Sequence, residues 1–227
     1  MYELMLDTAN LADLKEGLDS WPVVGVTSNP TILKAEGEID VYARLREIKA
    51  LCGEKRSLHV QVVSTATGAI LEEARHILEN LGKDTFIKVP VSAAGLPAIK
   101  KLSDEGVNVT ATAIYSTMQG MLAVLAGAKY IAVYYNRMEN NCTDPTRVIA
   151  ELREFIDGSG SGAKILAASF KNAAQVVSAY ASGAQGATVS ADIIRLGLGM
   201  TGVASAVDVF RKDFEAIHGA GRTMMTI

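Results

Sequence analysis

The chain has 227 residues, 49% of them hydrophobic and 21% charged, with a formal charge of −3. That composition is expected of one soluble globular domain with a large core, and the weak negative charge gives nucleic acid or an anionic membrane no electrostatic purchase. No run approaches about 18 uncharged apolar residues, and Met1-Tyr2-Glu3-Leu4 lacks the basic and apolar regions of a signal peptide, so a cytoplasmic protein is expected. Cys52 and Cys142 match no Cys-x-x-Cys pattern, which speaks against a zinc site or a disulfide framework.

Strand candidates alternate with longer amphipathic stretches along the whole chain. The first, Glu3–Leu6, runs into Asp7-Thr8-Ala9-Asn10, where Asp7 is either a helix cap or an acid/base group. The second, Val23–Val26, runs into Thr27-Ser28-Asn29-Pro30-Thr31. Pro30 suits a helix's first turn, and Asn29 either caps that helix or holds a hydroxylated substrate. The third, Leu58–Val63, carries Gln61, a polar amide in an apolar strand that needs hydrogen-bond partners. Ile70, Ala74, Ile77 and Leu78 then recur at helical spacing.

The fourth candidate, Thr85–Val89, contains Lys88, which by alternation shares a face with Phe86 and Pro90. Burial disfavours the ammonium form and leaves a neutral amine able to attack a ketone. The alternative is a lysine that snorkels to water or pairs with a carboxylate. The fifth, Val107–Ala111, leads to Thr112 and Tyr115; the sixth, Tyr130–Tyr134, leads to Arg137. The seventh, Ile165–Ala168, leads to Ser169 and Lys171, and the eighth is Ala187–Ser190. An arginine, a hydroxyl and a lysine on late loops suit a phosphate monoester, although each alone is equally a cap or a solvated charge.

Gly82, Gly106, Gly127 and Gly183 each close a helical stretch just before an apolar run, where a left-handed cap favours glycine. Gly158–Gly162 is short enough to be a loop. Strand-plus-helix units repeated in this way predict an α/β fold, a (β/α)8 TIM barrel forming a single domain over 1–227. An open doubly wound sheet is the competitor, but no Gly-x-Gly-x-x-Gly follows the first strand. His59, His76 and His218 are scattered, so no metal site is expected. Neither a Gly-x-Ser-x-Gly nucleophile turn nor a P-loop is present.

Taken together and in order, several strings resemble the fructose-6-phosphate aldolase and small transaldolase family. They are Leu6-Asp7-Thr8, Gly25-Val26-Thr27-Ser28-Asn29-Pro30-Thr31, Ile87-Lys88-Val89-Pro90, Glu105-Gly106-Val107, Thr112-Ala113-Ile114-Tyr115, Asn136-Arg137 and Ala167-Ala168-Ser169-Phe170-Lys171. The resemblance implies a barrel with its Schiff-base lysine on strand four, working without a metal or other cofactor. Lys88 would form the imine and Asp7 would handle the C4 hydroxyl proton. Thr27 and Asn29 would hold the dihydroxyacetone portion, and Arg137, Ser169 and Lys171 the aldehyde's phosphate. Transaldolases of this family resemble one another in a glutamate on strand three and often a phenylalanine after strand six. This chain has Gln61 and Tyr134, the aldolase pair, which with Thr112 would position the water used in proton transfer.

The expectation is therefore an aldolase that reversibly cleaves fructose 6-phosphate. Transaldolase is the first alternative and a non-catalytic phosphosugar-binding barrel the second. Three features depart from the family pattern: Ser28 in place of a second threonine, no proline after strand eight, and a polar loop at Met138–Arg147 without glycine. The family forms rings, commonly pentamers paired into decamers, so a homo-oligomer is implied, with a C-terminal helix near 207–217 packing on a neighbouring subunit.

Overall fold

The computed structural model describes residues 2–227. Among them eight parallel strands close into a barrel in sequence order, the expected (β/α)8 architecture. The strands are β1 (Glu3–Asp7), β2 (Gly25–Thr27), β3 (Ser57–Gln61), β4 (Phe86–Pro90), β5 (Val109–Ile114), β6 (Tyr130–Tyr134), β7 (Lys164–Ala168) and β8 (Gly186–Val189). Between them run α1 (Leu11–Ser20), α2 (Pro30–Ala35), α3 (Val41–Cys52), α4 (Thr67–Leu81), α5 (Gly95–Asp104), α6 (Thr117–Leu125), α7 (Tyr135–Asn140), α8 (Pro145–Ser159) and α9 (Ala173–Ala181). These lie in a compact unit that ends at Ala191. A second unit, Asp192–Ile227, holds most of α10 (Ala191–Leu198) and all of α11 (Thr201–His218). The expected C-terminal helix thus begins several residues earlier than 207. Its apolar residues Val203, Val207, Phe210 and Ile217 recur along one stripe and are exposed.

Local chemistry sets the element ends. Asn10, Asn29, Asp40, Ser116, Asp144 and Asn172 cap helices by accepting backbone N–H bonds through their side chains. Pro30 and Pro145 stand in the first turns behind Asn29 and Asp144, where a missing N–H costs nothing. The four helix-closing glycines all have positive φ, but Gly82 has ψ 151, outside the left-handed helical basin and in a region that glycine alone enters freely. Strand ends move by one to three residues from their expected places in every strand but β6. Val107 N–H still bonds Leu102 C=O at 2.9 Å, completing the end of α5, so β5 starts only at Val109. Gly158 belongs to the last turn of α8, and the turn proper is made by Gly160 at φ 68.

Alternation along each strand packs one row of side chains into the barrel interior. Met5, Tyr130 and Leu166 cluster there with Phe86 against them. The His59 ring stacks on Phe86 at 4.4 Å and meets Tyr130 edge-on at 5.2 Å. Its nitrogens are bonded to Thr110 Oγ1 at 2.8 Å and Ser57 Oγ at 2.9 Å. In register, His59 pairs with Phe86 and Gln61 with Lys88. The aromatic layer therefore lies one pleat beneath Gln61 and Lys88 and forms the floor on which they stand.

Candidate active site

At the C-terminal ends of the strands a cavity of about 320 Å³ is lined by Asp7, Asn29, Gln61, Lys88, Tyr134, Arg137 and Ser169, among others. These seven residues come from six different strands or the segments that directly follow them. A parallel barrel brings such separated positions together because all its strands end at one face.

Lys88 is only 4% exposed. Burial lowers its ammonium pKa, and the Asp7 carboxylate partly opposes that shift. Asp7 is held above the ordinary carboxylate range, again mainly by burial, with the charge of Lys88 and a hydrogen bond from Thr27 pulling the other way. Desolvation thus pushes each group toward its neutral form, while the charge of each favours the charged form of the other. Thr27 Oγ1 donates to Asp7 Oδ1 at 2.5 Å and shares a second bond of 2.7 Å with Thr188 Oγ1. Asp7 does not cap α1; Asn10 does, by accepting from Ala12 and Asp13 N–H. Thr27 is fully buried beneath this carboxylate rather than on the cavity wall.

Gln61 faces Lys88 from the adjacent strand. Its Oε1 is buried with no hydrogen-bond partner. A buried amide oxygen in a cavity wall is a strong demand for a donor from substrate or water. Across the cavity Thr112 Oγ1 donates to the Tyr134 hydroxyl at 3.1 Å. Burial raises the Tyr134 pKa, which keeps the phenol protonated and available as a donor. A bulge in β5 sets this geometry. Register with β6 shifts between Ala111 and Ile114, and Ala113 takes φ 56. The extra residue lets Thr112 bond into the barrel while Ala113 also lines the cavity and Ile114 is fully buried. Composition gave no sign of this bulge, because alanine is not a residue that favours positive φ.

On the outer side of the cavity, the Arg137 guanidinium donates to the Tyr115 hydroxyl at 3.2 Å and lies 4.8 Å from the Tyr134 ring centroid. Ser169 adopts φ 63, and its carbonyl accepts the Asn136 N–H at 3.1 Å. Left-handed backbone in a non-glycine residue marks a position held by its surroundings. Lys171 is exposed and is not among the residues lining the cavity; its backbone N–H bonds Gln175. Asn29 both caps α2, through Ile32 N–H at 3.0 Å, and lines the cavity. Thr188 was not singled out from sequence, although a threonine within the apolar eighth strand is the same kind of signal as Gln61.

Two comparisons bear on this site. A family model described as Transaldolase/Fructose-6-phosphate aldolase matches residues 4–223. A curated relative from Streptococcus pneumoniae (strain ATCC 700669 / Spain 23F-1), named "Probable fructose-6-phosphate aldolase", is 49% identical over 218 residues, covering 96% of this chain and 98% of that protein.

Proposed function

The chain belongs to the transaldolase/fructose-6-phosphate aldolase family and is an enzyme of that aldolase or transaldolase type, and within it we propose an aldolase that reversibly splits fructose 6-phosphate into dihydroxyacetone and glyceraldehyde 3-phosphate. The observation that carries the reading is the buried Lys88 beside Asp7 in the floor of the cavity, with Gln61 rather than a carboxylate as its neighbour. Neutral Lys88 attacks the C2 carbonyl, and loss of water gives a protonated imine. That cation draws the C3–C4 bonding electrons as Asp7 takes the C4 hydroxyl proton, and the aldehyde leaves. A water held by Gln61, Thr112 and Tyr134 delivers the proton that quenches the enamine, and hydrolysis frees dihydroxyacetone and Lys88. Thr27 supports the cleavage step by holding Asp7, and Asn29 reaches the dihydroxyacetone hydroxyls. Arg137 and Ser169 take the phosphate, with Lys171 adding charge at the rim. No step in this sequence calls for a metal or organic cofactor.

The distinction from transaldolase lies in the fate of the three-carbon adduct. A neutral amide at Gln61 supports protonation of the enamine by water, so the donor leaves without an acceptor. The test supplies fructose 6-phosphate alone and measures dihydroxyacetone. Release supports the aldolase; silence until erythrose 4-phosphate is added means transaldolase. Borohydride reduction in the presence of substrate is expected to label Lys88, and Lys88→Met to lower turnover by about 10³-fold or more. Absence of both label and turnover in the wild type would leave a phosphosugar-binding barrel. The reading includes a homo-oligomer, supported by the exposed apolar stripe of α11, and a cytoplasmic location, where phosphorylated sugars are retained.

A further inference from the structure

Gln175 lies on the first turn of α9 and is 8% exposed, yet it is charged with no role in the chemistry above. Its amide is fully used. Nε2 donates to Asn136 Oδ1 at 3.1 Å and also to the Glu139 carboxylate. Oε1 accepts the Lys171 N–H at 2.7 Å. The Gln175 backbone is itself fixed, because its N–H donates to the Asn172 cap at 3.0 Å. Asn136 and Glu139 stand on either side of Arg137 in α7, whereas Lys171 follows Ser169 by two residues. Asn136 N–H closes the circuit by bonding the Ser169 carbonyl at 3.1 Å. One buried side chain thus ties together two segments far apart in sequence, and each segment carries a cavity-lining group suited to an anion.

We propose that Gln175 is a positioning residue that sets the spacing between Arg137 and Ser169, and through it the enzyme's preference for a phosphorylated aldehyde. The inference rests on the phosphate reading of Arg137 and Ser169 given above. The physical argument is one of rigidity. Arg137 is exposed, and among the described residues its guanidinium is steered by Tyr115 and Tyr134. The backbone beneath it must be anchored elsewhere if the guanidinium is to meet a phosphate with Ser169 on the opposite side. Ser169 holds a left-handed conformation that persists only where neighbours over-determine it. A fully satisfied buried amide spanning both segments supplies that anchoring. Lys88 and Asp7 lie on β4 and β1, outside this circuit, so imine formation does not depend on it.

The test compares KM and kcat for dihydroxyacetone addition to D-glyceraldehyde 3-phosphate and to unphosphorylated D-glyceraldehyde. Gln175→Met keeps the shape and removes all three side-chain bonds. It is expected to raise KM for the phosphorylated aldehyde about tenfold or more, leaving the unphosphorylated one within about twofold in both constants. Gln175→Glu sets a second carboxylate against Glu139 and is expected to have a larger effect of the same kind. The double variant Gln175→Glu/Glu139→Gln exchanges donor and acceptor and is expected to recover most of the wild-type KM. Equal losses on both aldehydes, no loss on either, or a double variant no better than Gln175→Glu would each overturn the proposal. A wild type that does not distinguish the two aldehydes would instead refute the phosphate reading itself. If Gln175→Met does not fold, Gln175→Glu and the double variant decide the matter alone.

Discussion

Lys88 is pushed toward the neutral amine by burial, and Asp7 pushes it back. Removing the carboxylate in Asp7→Asn therefore lowers the Lys88 pKa further. The acid limb of imine formation, followed by borohydride trapping against pH, is expected to move to lower pH while cleavage turnover falls by about 10²-fold or more. A limb that stays in place would separate the two groups electrically. Beneath them, His59 is held well below the usual imidazole range by burial and by the charge of Lys88. A neutral native imidazole faces an unfolded one that protonates near pH 6.5, so the unfolded state binds the extra proton. Stability is then fully present above about pH 6.5 and is lost as pH falls, by at most about 1.4 kcal/mol per pH unit. Denaturant titrations of His59→Phe between about pH 7 and pH 5 should show a shallower slope than wild type. A constant penalty of about 1–3 kcal/mol is expected on top, since Thr110 and Ser57 lose their partner. Identical slopes would mean that the folded protein admits the proton.

Single elements carry deviations that regular geometry would not allow. The bulge in β5 turns Thr112 toward Tyr134 and hides Ile114, at the cost of positive φ at Ala113. Ala113→Gly removes a side-chain penalty of about 1–2 kcal/mol and pays back part of it in chain entropy, so thermal unfolding should occur at the wild-type temperature or slightly above. Ala113→Val puts a branched side chain at the same φ and into the cavity, and both melting temperature and turnover should fall. A valine variant as stable as wild type would show that the bulge is free to straighten. Asn29 makes the same point for a helix start: one side chain caps α2, as one of the two readings from sequence expected, and also lines the cavity. The strand run at Thr85–Val89 moved by a single residue, because Val, Ile and Phe in a short run leave few alternatives.

For the molecule as a whole, the exposed stripe on α11 is the feature that a lone barrel does not account for. Phe210 is 69% exposed and Val207 59%, on one helical face. Phe210→Asp is expected to lower the mass measured by light scattering to that of the monomer, with fructose 6-phosphate cleavage retained if each barrel is self-sufficient. An unchanged mass would remove the stripe from any assembly.

Repeated strand-plus-helix units, helix-closing glycines and the Asn29 cap were legible in the sequence, because each acts over a few neighbouring residues, whereas the caps at Asn10 and Asp144 were found only in the structure. The unusual lysine in an apolar run, the polar amide of Gln61 within an apolar strand and the strand-end polar residues were legible too, as exceptions to local pattern. Several matters needed closure of the barrel. One was that Asp7 accepts from Thr27 and lines the same cavity as Lys88 instead of capping a helix. Others were that Lys171 offers its backbone and not its side chain to the loop circuit, and that Gln175 joins the Arg137 and Ser169 segments. Apart from the local Lys171–Gln175 bond, these bring together residues distant in the chain, and their desolvation and alignment exist only once eight strands have brought them to one face.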